Sequence, residues 1–487
     1  MLWKRERSQN QKGGTCKLRN KKFAKYAVAF NILGIVFNFM YSGLQNDHIN
    51  IIQGFSAWTN DFTLIPLTIG NLVCIVLTFI YGTLFIKVGI KKTLIPCNIL
   101  AALGCLGIAA ANGVAAVSGV PINTVIPGQG GVAGNYALYA VSIFVVRCTA
   151  MCFQLSGFMM AANWFIKNRG KVMGIITLGS PLFSVVGTSV MSTFISKYLG
   201  GDYRPFYVGI CVVLVIIAVL VALLLKDTPE EVGLHPDGTD HAPKSEENVE
   251  EEHLTVRQVL SKAKAWWLII SYGVFQYIIN ACMASMVVWF TYLVVSNADA
   301  VAAGAMGAAF AGMGGLEGQG AMVLFVNQAT RWLSVGALAG IVTSFLFGVL
   351  DDKIGSVKTS IILGITELLP IIGLMYQQIA VQNTGSCNVP MLIVWGFGVA
   401  CMTGGVPTMH PCITAAAYGR REYQSANRII MSIQLIPMAF AATISAFFIN
   451  RGMGFQYWIA MIILVLIGIA ACLPLLKMKD ANAADRA

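Results

Sequence analysis

The fold class predicted by this sequence is an all-α membrane protein, with twelve transmembrane helices in two bundles of six and both termini in the cytoplasm. Three observations predict it. The chain has 487 residues, of which 56% are hydrophobic and only 11% charged, against roughly 25% charged in soluble globular proteins. Its apolar residues gather into stretches of about 20, the length that crosses a ~30 Å hydrocarbon core as a helix. Its basic residues fall almost entirely on one side of the alternating loops, which is the positive-inside bias.

The spans are expected at 24–45, 62–85, 93–115, 137–162, 172–195, 205–226, 266–294, 324–350, 359–378, 391–412, 428–449 and 454–476. The first is too long for a signal-peptide core and lacks a small-residue cleavage site, so it reads as a transmembrane helix. Of the 33 Lys and Arg, a group precedes span one (Lys4, Arg5, Arg7 and on to Lys25), and most others sit in alternate loops and the C-terminal tail. Lys197, Arg204 and Arg451 fall on the opposite side, while Arg147 and Arg331 lie inside spans. The formal charge of +11 therefore reports topology and contact with membrane lipids. No basic–aromatic module accompanies it, so no nucleic-acid partner is expected. The Gly- and Ala-rich stretch from Asn297 to Gly320 is read as an outer loop, because another crossing would break the bias.

The longest polar segment, Asp227 to Lys264, separates the spans into bundles 1–226 and 265–487. This linker, 227–264, opens with TPEEVGLHPDG, continues through the acidic EENVEEE and ends in an expected interfacial helix, HLTVRQVLSKAKAWW. Its histidines, His235, His241 and His253, lack metal-ligand spacing. The twelve cysteines contain no C-x-x-C pair and lie mostly in or beside spans, as small buried hydrophobes do. No metal, no cofactor and no catalytic residue is expected. Phosphate-loop, H-E-x-x-H and G-x-S-x-G signatures are absent, so the chain does not read as an enzyme, and direct ATP coupling is not expected.

A short repeat reinforces the division. After span two the sequence reads GTLFIKVGIKK, Gly82 to Lys92, and after span eight GVLDDKIGSVK, Gly348 to Lys358. Both fit G-x-x-x-(D)-K-x-G at the same place in their half. With the twelve spans and the central linker, these loops resemble the major facilitator superfamily of secondary transporters, over nearly the whole chain. The resemblance implies two six-helix bundles that alternate access to a substrate near the bilayer midplane. It also implies that the loops stabilise one access state, a gating role for Gly82, Gly89, Gly348, Asp352, Lys353 and Gly355. The first copy carries Ile86 where the second has Asp352. The turns NWFIKNRGKVMGI and AAAYGRREYQSANR, with PEEVGLHPDG, are similar to the oxalate/formate-antiporter and monocarboxylate-porter branch. That branch often carries an Arg where this chain has Ser344.

Ionisable residues within spans are the first candidates for transport, since an Arg at mid-helix carries a penalty of about 2.5–3.5 kcal/mol on insertion scales and usually faces a cavity or a partner. Arg147 lies roughly 15 Å from the outer end of span four at 1.5 Å per residue. It either binds a carboxylate through bidentate hydrogen bonds or is locked in a structural network. Arg331 falls near the outer mouth, to attract anions or to anchor the interface beside Trp332. Glu367, the acid deep inside span nine, either carries a proton through the cycle or bonds backbone groups freed by Pro370. His410, between Pro407 and Pro411, is a second proton-coupling candidate or a satisfied helix-end histidine. Polar stripes occur at helical spacing in span one (Asn31, Asn38, Tyr41) and span seven (Tyr272, Gln276, Asn280, with Tyr277 adjacent). They serve substrate contact or helix packing. Ser180–Pro181 and Gln434 with Pro437 mark hinges.

The resulting expectation is a monomeric secondary transporter of the cytoplasmic membrane that moves a small organic anion, driven by proton symport or anion exchange. Export of an amphipathic compound and solute sensing without transport are the alternatives.

Overall fold

The computed structural model describes residues 2–44, 52, 55–115, 124–128, 134–183, 188–239, 254–296, 319–384, 388–449, 451–478 and 480–481. The helices in chain order are α1 (Leu2–Ser42), α2 (Asn60–Lys87), α3 (Ile90–Ala110), α4 (Tyr136–Trp164), α5 (Arg169–Thr177), α6 (Gly179–Leu182) and α7 (Thr188–Tyr198). They continue as α8 (Arg204–Leu224), α9 (Val256–Leu260), α10 (Ala263–Ser296), α11 (Gln319–Ile354), α12 (Ser356–Thr384), α13 (Val389–Ile449) and α14 (Gly454–Cys472). Backbone polar groups inside a bilayer must be satisfied within their own segment, and helices do this without partners. Among the described residues, nine helices are long and apolar enough to cross a membrane, and β structure is limited to the isolated bridges Ser56–Val114 and Trp58–Val125.

Every expected span is occupied by helix, with two departures. Span five is interrupted at Leu178, between α5 and α6, and its residues 184–187 lie outside the described residues. The break falls beside Ser180–Pro181, where proline has no N–H to continue the ladder. Here α6 lies against α1 so closely that a Cβ at Gly179 would collide with the Ile35 carbonyl and the Phe39 amide. The Ser42 hydroxyl donates to the Ser180 hydroxyl at 2.5 Å. The second departure is at spans ten and eleven, where AAAYGRREYQSANR was expected as a turn. It is helical on both sides of one residue, Gly419, with φ 71° and ψ 176°. Helix α13 therefore joins both spans across that kink. The Asn297–Gly320 stretch lies outside the described residues up to 318, as do His241, His253 and the acidic run of the linker.

The chain divides into two compact units: Met1–Thr255 with Ala415–Arg428 and Lys479–Ala487, and Val256–Thr414 with Ile429–Met478. In the first, α3 packs against α4 and α8, and α4 also meets α1 and α2. Helix α4 is buried over most of its length, including Val146, Arg147, Met151, Phe153 and Met159. Helix α8 shows the opposite pattern, exposing Val212, Val219 and Leu223, as a lipid-facing helix does. In the second unit α10 packs against α14 and α11, and α12 against α14. They surround a core that includes Tyr277, Ile278, Ile371, Trp395 and Trp458. The described cysteines are free, and all but Cys211 are buried.

Candidate functional site

In the first unit, the largely buried helix α4 places Arg147 about 16 Å from its first residue at the helical rise, with 3% of the residue exposed. Its Nε donates to Asn71 Oδ1 of α2. Its Nη1 is buried and has no hydrogen-bond partner among the described residues. Close approach of α2 creates the setting: a Cβ at Gly70 would come within 2.9 Å of Arg147 Cγ, and the Cys74 thiol donates to the Arg147 carbonyl at 3.6 Å. A guanidinium is always charged and has five donors in a planar fork. Nε is held by Asn71, and Nη1 remains to be matched by an acceptor.

The stripe on α1 does not meet Arg147 through these contacts. Asn38 is buried, donates to the Gly34 carbonyl at 3.2 Å and packs beside Gly157 of α4 and Gly179 of α6. Asn31 likewise bonds back to Ala27 at 2.9 Å. Tyr41 is buried one turn further on. In this unit Asn38 lies where α1 packs against α4 and α6.

The first of the two repeated loops sits at the far end of α2. A Cβ at Gly82 would strike Arg428 Cβ. The Arg428 Nη1 donates to Thr83 Oγ1 at 2.8 Å, its Nη2 to the Leu254 carbonyl at 3.3 Å, and its guanidinium lies 5.2 Å from the Phe79 ring centroid. Gly89 has φ 102°, a left-handed geometry that favours glycine. The acid missing from this loop is supplied by Asp227 of the linker. Its two carboxylate oxygens accept from Ile90 N and Lys91 N, each at 2.9 Å, and so satisfy the N-terminus of α3. Asp237 of the linker holds the turn after α4, its Oδ2 accepting from Ile166 N at 2.8 Å and Lys167 N at 2.7 Å. Arg420 completes the cluster. Its Nε donates to the Asn163 carbonyl at 2.6 Å and its Nη2 to both Glu230 oxygens at 2.8 Å. Sequence reading missed Asn71, Asp227, Arg420 and Glu230 as site residues, because each partner lies scores of residues away.

In the second unit, Glu367 of α12 lies roughly 16 Å along its helix and is fully buried. Neither of its carboxylate oxygens has a hydrogen-bond partner among the described residues, so it does not bond the backbone freed by Pro370. His410 Nε2 bonds Gln434 Oε1, and Gln434 Nε2 donates to the Leu268 carbonyl at 2.8 Å. His410 thus ties the two halves of α13 to α10. On α10, Tyr272 shares a 2.6 Å hydrogen bond with Ser360 of α12. Gln276 and Asn280 are half-buried, with Asn280 Nδ2 donating to the Gln276 carbonyl at 2.9 Å. Tyr277 instead lines an apolar groove.

The second repeated loop joins α11 to α12. Gly348 is buried, Asp352 half-buried and Lys353 exposed, and Gly355 has φ 89°. Asp351, which the motif does not single out, is fully buried. Ser344, at the position where an Arg was considered, bonds the Gly404 carbonyl and Thr408 Oγ1, both at 3.1 Å. A Cβ at Gly404 would lie 2.5 Å from Ser344 N, so helix packing fills that position. Arg331 falls on α11, and its side chain lies outside the described residues.

Buried, partly unsatisfied ionisable groups on bilayer-length helices define a multi-pass membrane protein of the transporter class. A sequence profile of the Major Facilitator Superfamily matches residues 23–325, and the chain belongs to that superfamily, whose members are transporters rather than enzymes. Solved structures similar to it include the proton:xylose symporter XylE bound to 6-bromo-6-deoxy-D-glucose, at a TM-score of 0.62 and 13% identity, covering 95% of this chain and 99% of that one. A variant of XylE with two introduced tryptophans matches at 0.61 and 13% identity, covering 96% and 98%. FucP in the outward conformation matches at 0.58 and 12%, covering 91% and 99%. At such identities the likeness is one of fold. Among curated protein sequences none matches the chain.

Proposed function

We propose that this chain is a secondary active transporter that moves a small carboxylate-type organic anion across the cell membrane by alternating access. The observation that supports this reading is Arg147, a guanidinium at mid-depth on a buried helix, held at Nε by Asn71 and with Nη1 unmatched. A carboxylate is the complement of a charged planar donor, and an ionised acceptor roughly doubles the strength of such hydrogen bonds. Arg331 and the polar groups Asn38, Tyr41, Gln276, Tyr277 and Asn280 are the further substrate-contact residues of this proposal.

Coupling runs by proton symport or anion exchange. Glu367 is the proton carrier in the symport form, because a buried carboxyl with no hydrogen-bond partner is costly to keep charged. His410 is the second proton-coupling residue. Its bond to Gln434 also gives it a structural task. The loops at Gly82, Gly89, Gly348, Asp352, Lys353 and Gly355 gate the cycle, with Asp227 completing the first loop in place of an acid at Ile86. The monomer is the transporting unit.

A thermal-shift panel on the purified protein tests the substrate class. Mono- and dicarboxylates are expected to raise the unfolding temperature of the protein but not of Arg147→Gln. Stabilisation by neutral sugars alone would overturn the anion reading, and stabilisation by bulky amphipaths alone would favour export of such compounds. Reconstituted vesicles then separate transport from sensing, because a sensor binds its solute without equilibrating it.

A further inference from the structure

Four described cysteines of the first unit form two pairs. Helix α4 carries Cys148 and Cys152 one turn apart on one face, and each thiol is hydrogen-bonded to a cysteine of a neighbouring helix. Cys148 pairs with Cys74 of α2, and Cys152 with Cys97 of α3. The Cys74 thiol donates its proton to the Arg147 carbonyl at 3.6 Å, so Cys148 is the donor between the first two sulfurs.

The two pairs differ in their electrostatic surroundings. Arg147 lies close enough for its charge to act on both Cys74 and Cys148. That guanidinium is buried, is held by the neutral amide of Asn71 and has Nη1 unmatched among the described residues. A buried cation within a bilayer-length helix calls for a negative counterpart. The Cys97–Cys152 pair has the Tyr81 hydroxyl as its polar neighbour instead. Cys152 is completely buried, whereas Cys148 is 9% exposed. Of the two pairs, the one beside Arg147 is therefore the one an ion can enter.

Thiolates select soft metal ions, Cu(I) and zinc among them. Structural zinc takes four ligands, and among the described residues no group of three or more His, Cys, Asp or Glu could hold a metal ion. Two sulfurs suit a monovalent ion that accepts linear two-coordination. Charge leads to the same choice. Binding breaks two S–H bonds, forms two sulfur–metal bonds and releases two protons to water. With a monovalent ion the product is a bis-thiolate of charge −1, which matches the guanidinium. A divalent soft ion would give a neutral complex and leave Arg147 uncompensated. We infer that Cys74 and Cys148 form a binding site for one Cu(I) ion, held as an anionic bis-thiolate beside Arg147 and tying α2 to α4. The ion is not the transported solute, so the site stands whichever solute the chain carries.

Anaerobic titration of the purified full chain with Cu(I), in competition with a chromophoric Cu(I) chelator, tests the inference. One ion per chain is expected to be withheld from the chelator, and X-ray absorption at the copper edge should show two sulfur ligands. Cys74→Ser and Cys148→Ser should each abolish that retention, while Cys97→Ser should leave it unchanged. Arg147→Gln keeps both thiols and should weaken binding about tenfold or more, since a nearby opposite charge favours a charged form by roughly one to three powers of ten. Unchanged retention in both Cys74→Ser and Cys148→Ser would overturn the inference. So would a copper shell of three or more ligands in the unmodified protein, or displacement of Cu(I) by equimolar Zn(II).

Discussion

At the residue scale, the proposed function rests on two buried ionisable groups that were legible in the sequence because charge is scarce there. Arg147 and Glu367 stand out in apolar spans whatever their neighbours are. Their surroundings were not legible. Asn71 is one of several polar residues in its region, and only the crossing of α2 over α4 shows that it holds the Arg147 guanidinium. Removing a partner from a buried charge leaves that charge to bear its own desolvation. Asn71→Ala is therefore predicted to raise the KM for carboxylate uptake roughly tenfold, measured in vesicles, with membrane insertion unchanged. Glu367→Gln keeps the shape of the side chain and removes the titratable proton site. It should abolish accumulation driven by an imposed pH gradient while solute exchange continues. Normal pH-driven accumulation by this variant would assign the proton to another group.

At the element scale, the positions of the helices followed from hydropathy, while their joints depended on contacts that no local pattern records. The first repeated loop carries Ile86 where the second has Asp352, and the acid that caps α3 comes from Asp227, 137 residues from Ile90 in the chain. Replacing a cap costs about 0.5–2 kcal/mol. Asp227→Ala should accordingly lower the unfolding temperature by a few degrees in a detergent melt, with the wild-type value as reference. The turn into α8 offers a pH test. Asp202 accepts from Arg204 N at 2.9 Å and pairs with the Arg204 guanidinium at 2.8 Å. Arg204 Nη1 also reaches Asn112 at the end of α3, at 2.7 Å. Partial burial disfavours the Asp202 charge, but the hydrogen bonds and charge of Arg204 outweigh it and hold the carboxyl below its usual range. A depressed folded pKa gives stability that is present above the unfolded value of about 3.9 and is lost as pH falls through the folded one. Asp202→Asn should thus melt below wild type at pH 7, and the gap should close towards pH 3. An equal gap at both pH values would show that the charge contributes nothing.

At the scale of the whole molecule, the division read from the sequence rests on the linker and the repeated loop, neither of which reveals where the chain passes from one compact unit to the other. The segment Ala415–Arg428, read from sequence as a turn, belongs to the first unit although the rest of α13 belongs to the second. Its Arg420 and Arg428 reach Asn163, Glu230 and Thr83, partners too distant in the chain for a local motif to reveal. Membership of the superfamily establishes a transporter fold, and the proposed substrate class rests on the chemistry at Arg147. The most direct measurement is saturable uptake of a radiolabelled carboxylate into vesicles containing either the wild-type protein or Arg147→Gln. The account predicts saturable uptake by the wild type and a loss on the order of 100-fold in kcat/KM for the variant, as expected when a buried charge partner is removed. Equal kinetics in the two proteins would contradict it.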